Sequence, residues 1–257
     1  MKQGHALFVT GTDTGIGKTM ITACLTALLA RCEYDAVPYK PIQSGGIRMG
    51  DTLIAEDVAF YQSIHPLPYG QDELCTYCME PAVSPHLAAQ QTKVFIDPDC
   101  IARQLQILRK NHDFVVVEGA GGLAVPLYES EQGIYMTDDL ITHLHLPLLL
   151  VTHPGLGTIN HTVLTVKYAQ AHGIPILGFI VNYMPQQPNS MERDNVRMIS
   201  ELTGLPVLGS FPQITDTAPE ALRMQLDELR THINLALLLE RLEQAEAELL
   251  QIKRMEE

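Results

Sequence analysis

Short apolar runs alternate with longer segments of helical periodicity along most of the chain. Val115-Val116-Val117 and Leu148-Leu149-Leu150-Val151 are continuous apolar runs, which are typical of parallel strands buried on both faces. The pattern predicts strands at residues 6–10, 36–42, 114–118, 147–153, 176–182 and 207–211, and helices near residues 17–31, 98–111, 158–171 and 191–203. Such alternation predicts an α/β fold with a doubly wound, mainly parallel sheet in a single domain.

Two segments depart from this alternation. Residues 43–96 contain glycines, prolines and only short helical patterns, and we expect a substrate lid or insertion there. Residues 231–257 carry leucines and isoleucines between charged residues, the pattern of an amphipathic helix that packs on the body or on a partner. We therefore divide the chain into a domain at 1–239 and a C-terminal helical extension at 240–257, whose role the sequence leaves open.

The first predicted strand runs into a glycine-rich loop with the sequence Thr10-Gly11-Thr12-Asp13-Thr14-Gly15-Ile16-Gly17-Lys18-Thr19, and a helical segment follows. This order predicts a phosphate-binding loop, because backbone N–H groups and the helix N-terminus can face phosphate oxygens. Lys18 is then placed to reach the β- and γ-phosphates, and the Thr19 hydroxyl to bind Mg²⁺. The spacing is unusual, since Thr12 stands where the general pattern has its first glycine and Gly11 lies one residue earlier.

The composition and net charge of the chain restrict which ligands such a site can bind. A net charge of −13 argues against nucleic acid or an anionic membrane surface as a general partner, so local basic residues and backbone N–H groups must hold a phosphate. We expect no membrane span and no signal peptide, because the sequence lacks an apolar run of about 18 residues and starts close to a strand. Five cysteines at irregular spacing are typical of reduced thiols in a cytoplasmic protein. Cys75 and Cys78 have the spacing of half a zinc site, but no second pair follows.

Two further segments add charged groups to this candidate ATP site. Glu118 ends the predicted strand at 114–118 and precedes Gly119-Ala120-Gly121-Gly122, which is similar to the second acidic motif of phosphate-loop enzymes. The acid of that motif supports Mg²⁺ directly or through water. Lys40 lies at the carboxyl end of the strand at 36–42, the edge where ligands bind in such sheets, and Ser44 follows it. The sequence thus predicts a site lysine and a metal-supporting carboxylate beside the phosphate loop.

The motifs in the chain up to about Leu239 resemble those of the dethiobiotin synthetases, ligases of biotin biosynthesis. The unusual spacing of the phosphate loop is this family's own form. The other matching segments are Lys40-Pro41-Ile42-Gln43-Ser44-Gly45, Glu80-Pro81-Ala82-Val83-Ser84-Pro85-His86, Glu118-Gly119-Ala120-Gly121-Gly122, Gly155-Leu156-Gly157-Thr158-Ile159-Asn160-His161 and Gly178-Phe179-Ile180-Val181-Asn182.

The resemblance implies a defined reaction. ATP, CO₂ (or bicarbonate) and 7,8-diaminononanoate would give dethiobiotin, ADP and phosphate, with Mg²⁺ as cofactor. An amine carbamate would attack the γ-phosphate to form a carbamic–phosphoric anhydride, and attack of the second amine would then close the ureido ring. Lys18 and Lys40 would be the catalytic residues, beside the γ-phosphate and the carbamate.

The resemblance also implies which residues bind each group. Mg²⁺ would be held by Thr19, Glu118 and an aspartate that we assign to Asp57, with Glu56 and Asp51 as nearby alternatives. Asn182 would be the purine-reading amide. The complete set expected to bind the nucleotide and its metal is Thr14, Gly15, Ile16, Gly17, Lys18, Thr19, Met20, Asp57, Glu118, Gly119, Ala120, Gly121, Asn182, Ser210, Phe211 and Pro212. The residues expected to contact the substrate are Ser44, Gly157, Thr158 and Asn160.

A homodimer with shared active sites is a further implication of the resemblance. The helix start at Gly157 follows a predicted strand, and free N–H groups at such a start bind a carboxylate well. In the family this glycine-led helix start belongs to the neighbouring subunit. A two-fold dimer would therefore contain two sites, each completed by the other chain.

Other functions compete with this interpretation. A partition- or cluster-assembly-type ATPase would use the same fold as a nucleotide-switched dimer, but such proteins usually carry an extra lysine early in the phosphate loop. Here Gly11, Thr12 and Asp13 stand at those positions. A cobyric-acid-type synthetase would need a glutamine-hydrolysing portion for which the chain lacks length. A related ATP-dependent ligase that acts on another diamine or acid stays open.

Overall fold

The structure is a computed structural model and describes residues 3–131 and 133–256. Its strands are β1 (His5–Gly11), β2 (Ala36–Ser44), β3 (Ile47–Met49), β4 (Thr52–Ile54), β5 (Cys75–Met79), β6 (Phe114–Glu118), β7 (Pro126–Ser130), β8 (Gly133–Met136), β9 (Leu148–Thr152), β10 (Ile176–Met184) and β11 (Val207–Pro212). Its helices are α1 (Lys18–Arg31), α2 (Glu56–Ile64), α3 (Gln71–Leu74), α4 (Pro85–Thr92), α5 (Pro98–Asn111), α6 (Thr137–Leu144), α7 (Thr158–Ala171), α8 (Ser190–Thr203), α9 (Pro219–Leu229) and α10 (Leu235–Glu256), with a 3₁₀ turn at Arg230–His232.

A seven-stranded sheet in the order β11-β10-β9-β1-β6-β2-β5 forms the centre of the fold. Each of its strand pairs is parallel. The six predicted strands and the four predicted helices are all present, which confirms the predicted α/β class. Three further features were not predicted by the apolar pattern: β5 at one edge of the sheet, and the two antiparallel hairpins β3–β4 and β7–β8.

The burial of the central strands explains their continuous apolar runs. Every residue of β6 and of β9 is buried, because helices cover the sheet. Parallel strands end at a common edge, where the loop after β1 and Glu118 at the end of β6 lie. β2 continues to Ser44, so Lys40 lies in the middle of this strand and not at its carboxyl end as predicted. It is nevertheless level with Glu118, because Tyr39 pairs with Val117. None of the helices within 3–131 and 133–256 combines the length and apolar character needed to cross a membrane.

The C-terminal helix α10 packs on the body of the protein from its first turn onward. Leu238 and Leu242 are each 1% exposed, and Arg241 donates hydrogen bonds to the carbonyl oxygens of Ile176 and Leu177, both at 3.1 Å. The proposed boundary between residues 239 and 240 therefore falls inside one continuous helix.

Glu246 of α10 joins this helix to the amino end of β1 and to α5. Its carboxylate lies 2.6 Å from His5 Nδ1, accepts from the Ala6 N–H at 3.2 Å, and lies 3.3 Å from Arg109 Nη2. The extension thus contacts the opposite end of β1 from the phosphate loop.

Leu242 and Leu250 allow a matched test of how much α10 stabilises the fold. Leu242→Ala should lower the free energy of unfolding by about 2–5 kcal/mol, because it opens a cavity under α10. Leu250 is 54% exposed on the same helix, and Leu250→Ala should change the stability by about 0.5 kcal/mol or less. Urea unfolding followed by circular dichroism measures both. Equal effects of the two changes would show that α10 is not packed as described.

Candidate active site

The phosphate loop requires glycine at two of its positions. Gly17, which precedes α1, has φ of 91° in the left-handed region, and a Cβ atom there would lie 2.0 Å from Asn182 Nδ2. A Cβ atom on Gly11 would lie 2.4 Å from Ile16 Cγ2, where the loop folds back on itself. A side chain at position 11 would collide with Ile16, so this position must be glycine whatever residue stands at position 12. This requirement gives a physical reason why the glycine stands one residue earlier than in the general pattern.

Lys18 is the first residue of α1 and is only 7% exposed. Its Nζ atom donates a hydrogen bond of 3.1 Å to the Asp13 carbonyl oxygen, so the side chain lies across the loop. Burial is the largest effect on the pKa of Lys18 and lowers it; the charge of Lys40 lowers it further, and that of Glu118 opposes the shift. A buried ammonium group at the start of a helix provides local positive charge for a phosphate despite the protein's acidic net charge.

Lys40 is buried and lies between the carboxylates of Glu118, which is also buried, and Asp57, which is partly buried. Its Nζ atom is 2.6 Å from Asp57 Oδ2 and 2.8 Å from Glu118 Oε1, and it donates a longer bond of 3.3 Å to the Gly119 carbonyl oxygen. Burial by itself lowers the pKa of Lys40, but the charges of Glu118 and Asp57, with hydrogen bonds to both, raise it well above its usual value. Lys40 is therefore a cation at neutral pH.

The Thr19 hydroxyl contacts the same two acids. Its Oγ1 atom lies 3.1 Å from Asp57 Oδ1 and 2.9 Å from Glu118 Oε1. Two carboxylates and a hydroxyl are hard oxygen donors of the kind that Mg²⁺ prefers, so the residues present fit this ion. Glu56 and Asp51, the alternative acids, are exposed. The geometry favours Asp57 as the aspartate of this group.

The segment after β6 runs beside β1 and reaches the start of the phosphate loop, where a Cβ atom on Gly122 would lie 3.5 Å from the Gly11 carbonyl oxygen. The Gly119 N–H donates to the Val9 carbonyl oxygen at 3.0 Å, and a Cβ atom on Gly119 would lie 2.6 Å from Phe8 Cε1. Gly121 has φ of 74°, and Ala120 lies between the two glycines. This segment therefore runs directly beside β1.

Met20, expected to contact the nucleotide, is partly buried on α1.

Asn182 lies beneath the phosphate loop. Its Nδ2 atom donates to the Ile16 carbonyl oxygen at 3.0 Å, and the residue is 2% exposed. Ser210 and Pro212 lie on the neighbouring strand β11, where they pair with residues on either side of Asn182. The Phe211 side chain is fully buried, so only its backbone is available to a ligand. The amide of Asn182 thus supports the loop whether or not it also reads a base.

The residues expected to contact the substrate do not come together within one chain. Ser44 is partly buried at the end of β2, and Gly157, with φ of 85°, precedes α7. The Thr158 hydroxyl is buried and lies 2.8 Å from Thr152 Oγ1, so its side chain supports the fold, whereas Asn160 is exposed. Strands β1 and β6 separate β9, which leads to α7, from β2. At about 4.8 Å per strand, that is a separation of about 14 Å.

Cys75 and Cys78 lie on the edge strand β5 as free thiols. Burial raises the pKa of the Cys75 thiol to about 12. Within residues 3–131 and 133–256, no group of three or more histidine, cysteine, aspartate or glutamate side chains is arranged to hold a metal ion. These placements favour a structural role for the pair.

Two tyrosines of the site were not predicted from the sequence. Tyr61 on α2 donates its hydroxyl hydrogen to Glu118 Oε2, and burial together with the Glu118 charge raises its pKa well above the usual value. Tyr183 has φ of 60°, which non-glycine residues seldom adopt, and its hydroxyl donates to the Gly15 carbonyl oxygen at 3.1 Å. Tyr61 lies one helical turn after Asp57, but this spacing does not identify Glu118 as the partner of its hydroxyl.

Comparison with known proteins gives close sequence matches. A sequence model of the AAA domain family matches residues 5–221. An ATP-dependent dethiobiotin synthetase of Anoxybacillus flavithermus is 43% identical over 209 residues, which cover 81% of this chain and 92% of that protein. The enzyme of the same name from Halalkalibacterium halodurans is 39% identical over 229 residues, which cover 89% of this chain and 92% of that protein.

A solved structure shares the fold at much lower identity. The MinC:MinD cell division protein complex of Aquifex aeolicus matches with a TM-score of 0.55 and 14% identity, over 94% of this chain and 95% of that chain. This likeness confirms the fold class alone. The sequence matches extend over most of both proteins at far higher identity, and the chain belongs to the dethiobiotin synthetase family.

Proposed function

We propose that this chain closes the ureido ring of dethiobiotin from 7,8-diaminononanoate and CO₂ at the expense of ATP. The observation that supports this function best is the cluster of buried Lys40 and Glu118 with partly buried Asp57 and Thr19, beside Lys18 of the phosphate loop. It combines a nucleotide site with a second buried cation, as expected for a reaction in which a carboxylate-like group accepts a phosphoryl group. The family membership supplies the identity of the substrate.

The reaction proceeds in three steps. One amine nitrogen attacks the carbon of CO₂ and loses a proton, which leaves a carbamate anion. A carbamate oxygen then attacks the γ-phosphorus of ATP, the bond to ADP breaks, and a carbamic–phosphoric anhydride forms. The second amine attacks the anhydride carbonyl carbon and loses a proton, while the carbon–oxygen bond breaks to release phosphate.

The side chains of the site position and neutralise these negative groups. Lys18 binds the γ-phosphate, and Lys40, which stays charged, stabilises the carbamate and the anhydride formed from it. Asp57, Glu118 and Thr19 hold Mg²⁺, which when bound neutralises phosphate oxygens. The backbone N–H groups of the loop and of the α1 N-terminus orient the phosphates, and Asn182 reads the purine with help from the β11 segment.

An assay of phosphate release tests this function. With ATP, 7,8-diaminononanoate and bicarbonate all present, we expect steady release of phosphate, and omission of any one of them should stop it. The physical reason is that the phosphoryl acceptor is a carbamate, which does not exist without both the diamine and CO₂. ATP turnover by the protein alone at the coupled rate would contradict the proposal and favour a nucleotide-switched ATPase.

The same proposal includes a homodimer whose active sites are shared, located in the cytoplasm. Support for the dimer comes from an apolar groove beside the start of α7, where Leu156, Leu164 and Leu202 are 81%, 60% and 50% exposed. A second copy seated there would bring its Gly157 and Asn160 toward the far end of the substrate, whose carboxylate needs an anchor. The free cysteines agree with a reducing compartment.

Mixing of inactive chains tests the shared site. One chain carries Lys40→Ala, and the other carries Gly157→Val with Asn160→Ala. If sites are shared, each mixed dimer has one doubly altered site and one intact site, so random reassortment should restore about a quarter of wild-type activity. Mixed dimers purified with two different tags and no more active than their parents would contradict the shared site.

A further inference from the structure

Tyr61 stands next to the proposed metal site without belonging to it. It lies on α2 one helical turn after Asp57, so both side chains share the face of the helix that approaches Glu118. Tyr61 is 1% exposed, and its hydroxyl donates a hydrogen bond to Glu118 Oε2. This tyrosine therefore ends in the charged cluster while its ring lies in the core.

The contacts of Glu118 divide between its two oxygens. Oε1 lies 2.8 Å from Lys40 Nζ and 2.9 Å from Thr19 Oγ1, which is the side of the proposed metal and phosphate. Oε2 faces the other way, and Tyr61 is its only hydrogen-bond donor among the described residues. Because Glu118 is 1% exposed, water cannot easily take the place of the tyrosine hydroxyl.

We propose that Tyr61 is a positioning residue that fixes the rotation of the Glu118 carboxylate and so presents Oε1 to the divalent cation. The inference rests on the proposed function, because that function assigns Thr19, Asp57 and Glu118 as the residues that would hold the cation. The contact of the hydroxyl is with Glu118, and its role in this arrangement is to hold the carboxylate. It acts by satisfying the one carboxylate oxygen that would otherwise lie buried without a donor.

The packing of α2 explains how one helix can supply both Asp57, a proposed metal ligand, and Tyr61, which supports the ligand Glu118. The Asp57 N–H at the start of α2 donates to Gln43 Oε1 at 3.2 Å, which anchors the helix start to β2. Val58 and Ile64 are buried on the same helix and fix its rotation against the core. With the helix held, Asp57 and Tyr61 reach the cluster at fixed relative positions.

Tyr61→Phe tests the inference, because it removes the hydroxyl and keeps the ring. Mn²⁺ serves as the probe, and its binding in the presence of ADP is measured from the electron paramagnetic resonance signal of the free ion. We expect the Kd for Mn²⁺ to rise about 10- to 100-fold, the range seen when a group that supports a metal ligand is removed. The kcat should fall together with metal affinity, while the KM for ATP at saturating metal should change less.

Tyr39→Phe is the matched control. Tyr39 is fully buried on β2, and its hydroxyl contacts Thr76 Oγ1, away from the carboxylates. Loss of this hydroxyl should leave Mn²⁺ affinity unchanged even if it lowers the melting temperature. An equal loss of Mn²⁺ affinity in both variants would overturn the inference, because it would reflect general loosening of the fold.

A second substitution keeps the test valid if Tyr61→Phe does not fold. Incorporation of 4-fluorophenylalanine at position 61 fills most of the space of the hydroxyl but donates no hydrogen, and we expect the same loss of Mn²⁺ affinity. Unchanged Mn²⁺ affinity in a folded variant would overturn the inference, as would a wild-type protein that binds no Mn²⁺ with ADP. Since this readout does not depend on dethiobiotin formation, failure of the proposed reaction would be seen separately.

Discussion

Replacement of Lys18 by alanine should abolish dethiobiotin formation and phosphate release. Lys18 is the buried ammonium at the start of α1, and we propose that it neutralises the γ-phosphate as the phosphoryl group moves. Loss of one electrostatic stabiliser of this kind costs about 10²–10³-fold in kcat, and loss of phosphate binding adds to that effect. Product formation measured by liquid chromatography and ADP affinity measured by calorimetry should both fall steeply.

The control for this variant is an exposed lysine. Lys110→Ala changes an exposed side chain on α5 and should leave the rate and the ADP affinity unchanged. A Lys18→Ala protein that is folded and retains more than about a tenth of the wild-type rate would contradict the assignment of Lys18 to the γ-phosphate.

Lys40→Gln should lower kcat by about 10²-fold or more while changing ATP affinity much less than Lys18→Ala does. The reason is that Lys40 is assigned to the carbamate, which forms from the diamine and CO₂, and to the anhydride made from it, and not to the nucleotide itself. Its ammonium lies within 2.8 Å of both Asp57 and Glu118, so its loss leaves the buried Glu118 carboxylate and the partly buried Asp57 carboxylate without their cation. Such a loss destabilises a fold by about 3–5 kcal/mol, and circular dichroism at the assay temperature must show that the variant is folded.

A comparison of the Lys18 and Lys40 variants shows which lysine binds ATP and which binds the phosphoryl acceptor. Single-turnover kinetics and calorimetry with ADP separate the chemical step from nucleotide binding. Equal loss of nucleotide affinity in the Lys18 and Lys40 variants would show that Lys40 binds ATP instead of the acceptor. Restored activity in Lys40→Arg would indicate that charge alone suffices, since arginine keeps the charge with a different shape.

The central strands could be predicted because a strand that is buried on both faces has a continuous apolar sequence. In Val115-Val116-Val117 of β6, apolar and polar residues do not alternate, and buried and exposed residues do not alternate either. β5 was missed because its sequence, Cys75-Thr76-Tyr77-Cys78-Met79, lacks such a run, and as an edge strand its middle residues are only partly buried. An edge strand of this kind exists through pairing with β2 and not through its own pattern.

The residues of the site also fall into two groups: some are predicted by local sequence motifs, and others are placed by packing between distant parts of the chain. Lys18, Thr19 and Glu118 stand in local motifs whose spacing predicts their surroundings. The choice of Asp57 over Glu56 depends on how α2 packs, and the choice of Asp57 over Asp51 depends on where the turn between β3 and β4 lies. Nearby positions in the sequence determine neither. The hydrogen bond between Tyr61 and Glu118 joins residues 57 positions apart, and no pattern in the sequence predicts its partner.

The most direct test of the proposed reaction follows oxygen from CO₂ into phosphate. In the proposed mechanism the carbamate oxygen that attacks the γ-phosphorus leaves with the phosphate when the ring closes. With CO₂ labelled with ¹³C and ¹⁸O, ATP and 7,8-diaminononanoate, mass spectrometry should find ¹³C in the ureido carbonyl of dethiobiotin and ¹⁸O in the released phosphate. The label left in dissolved CO₂, measured in parallel, corrects for exchange with water. Phosphate that carries oxygen from water alone, without labelled dethiobiotin, would contradict the proposed function.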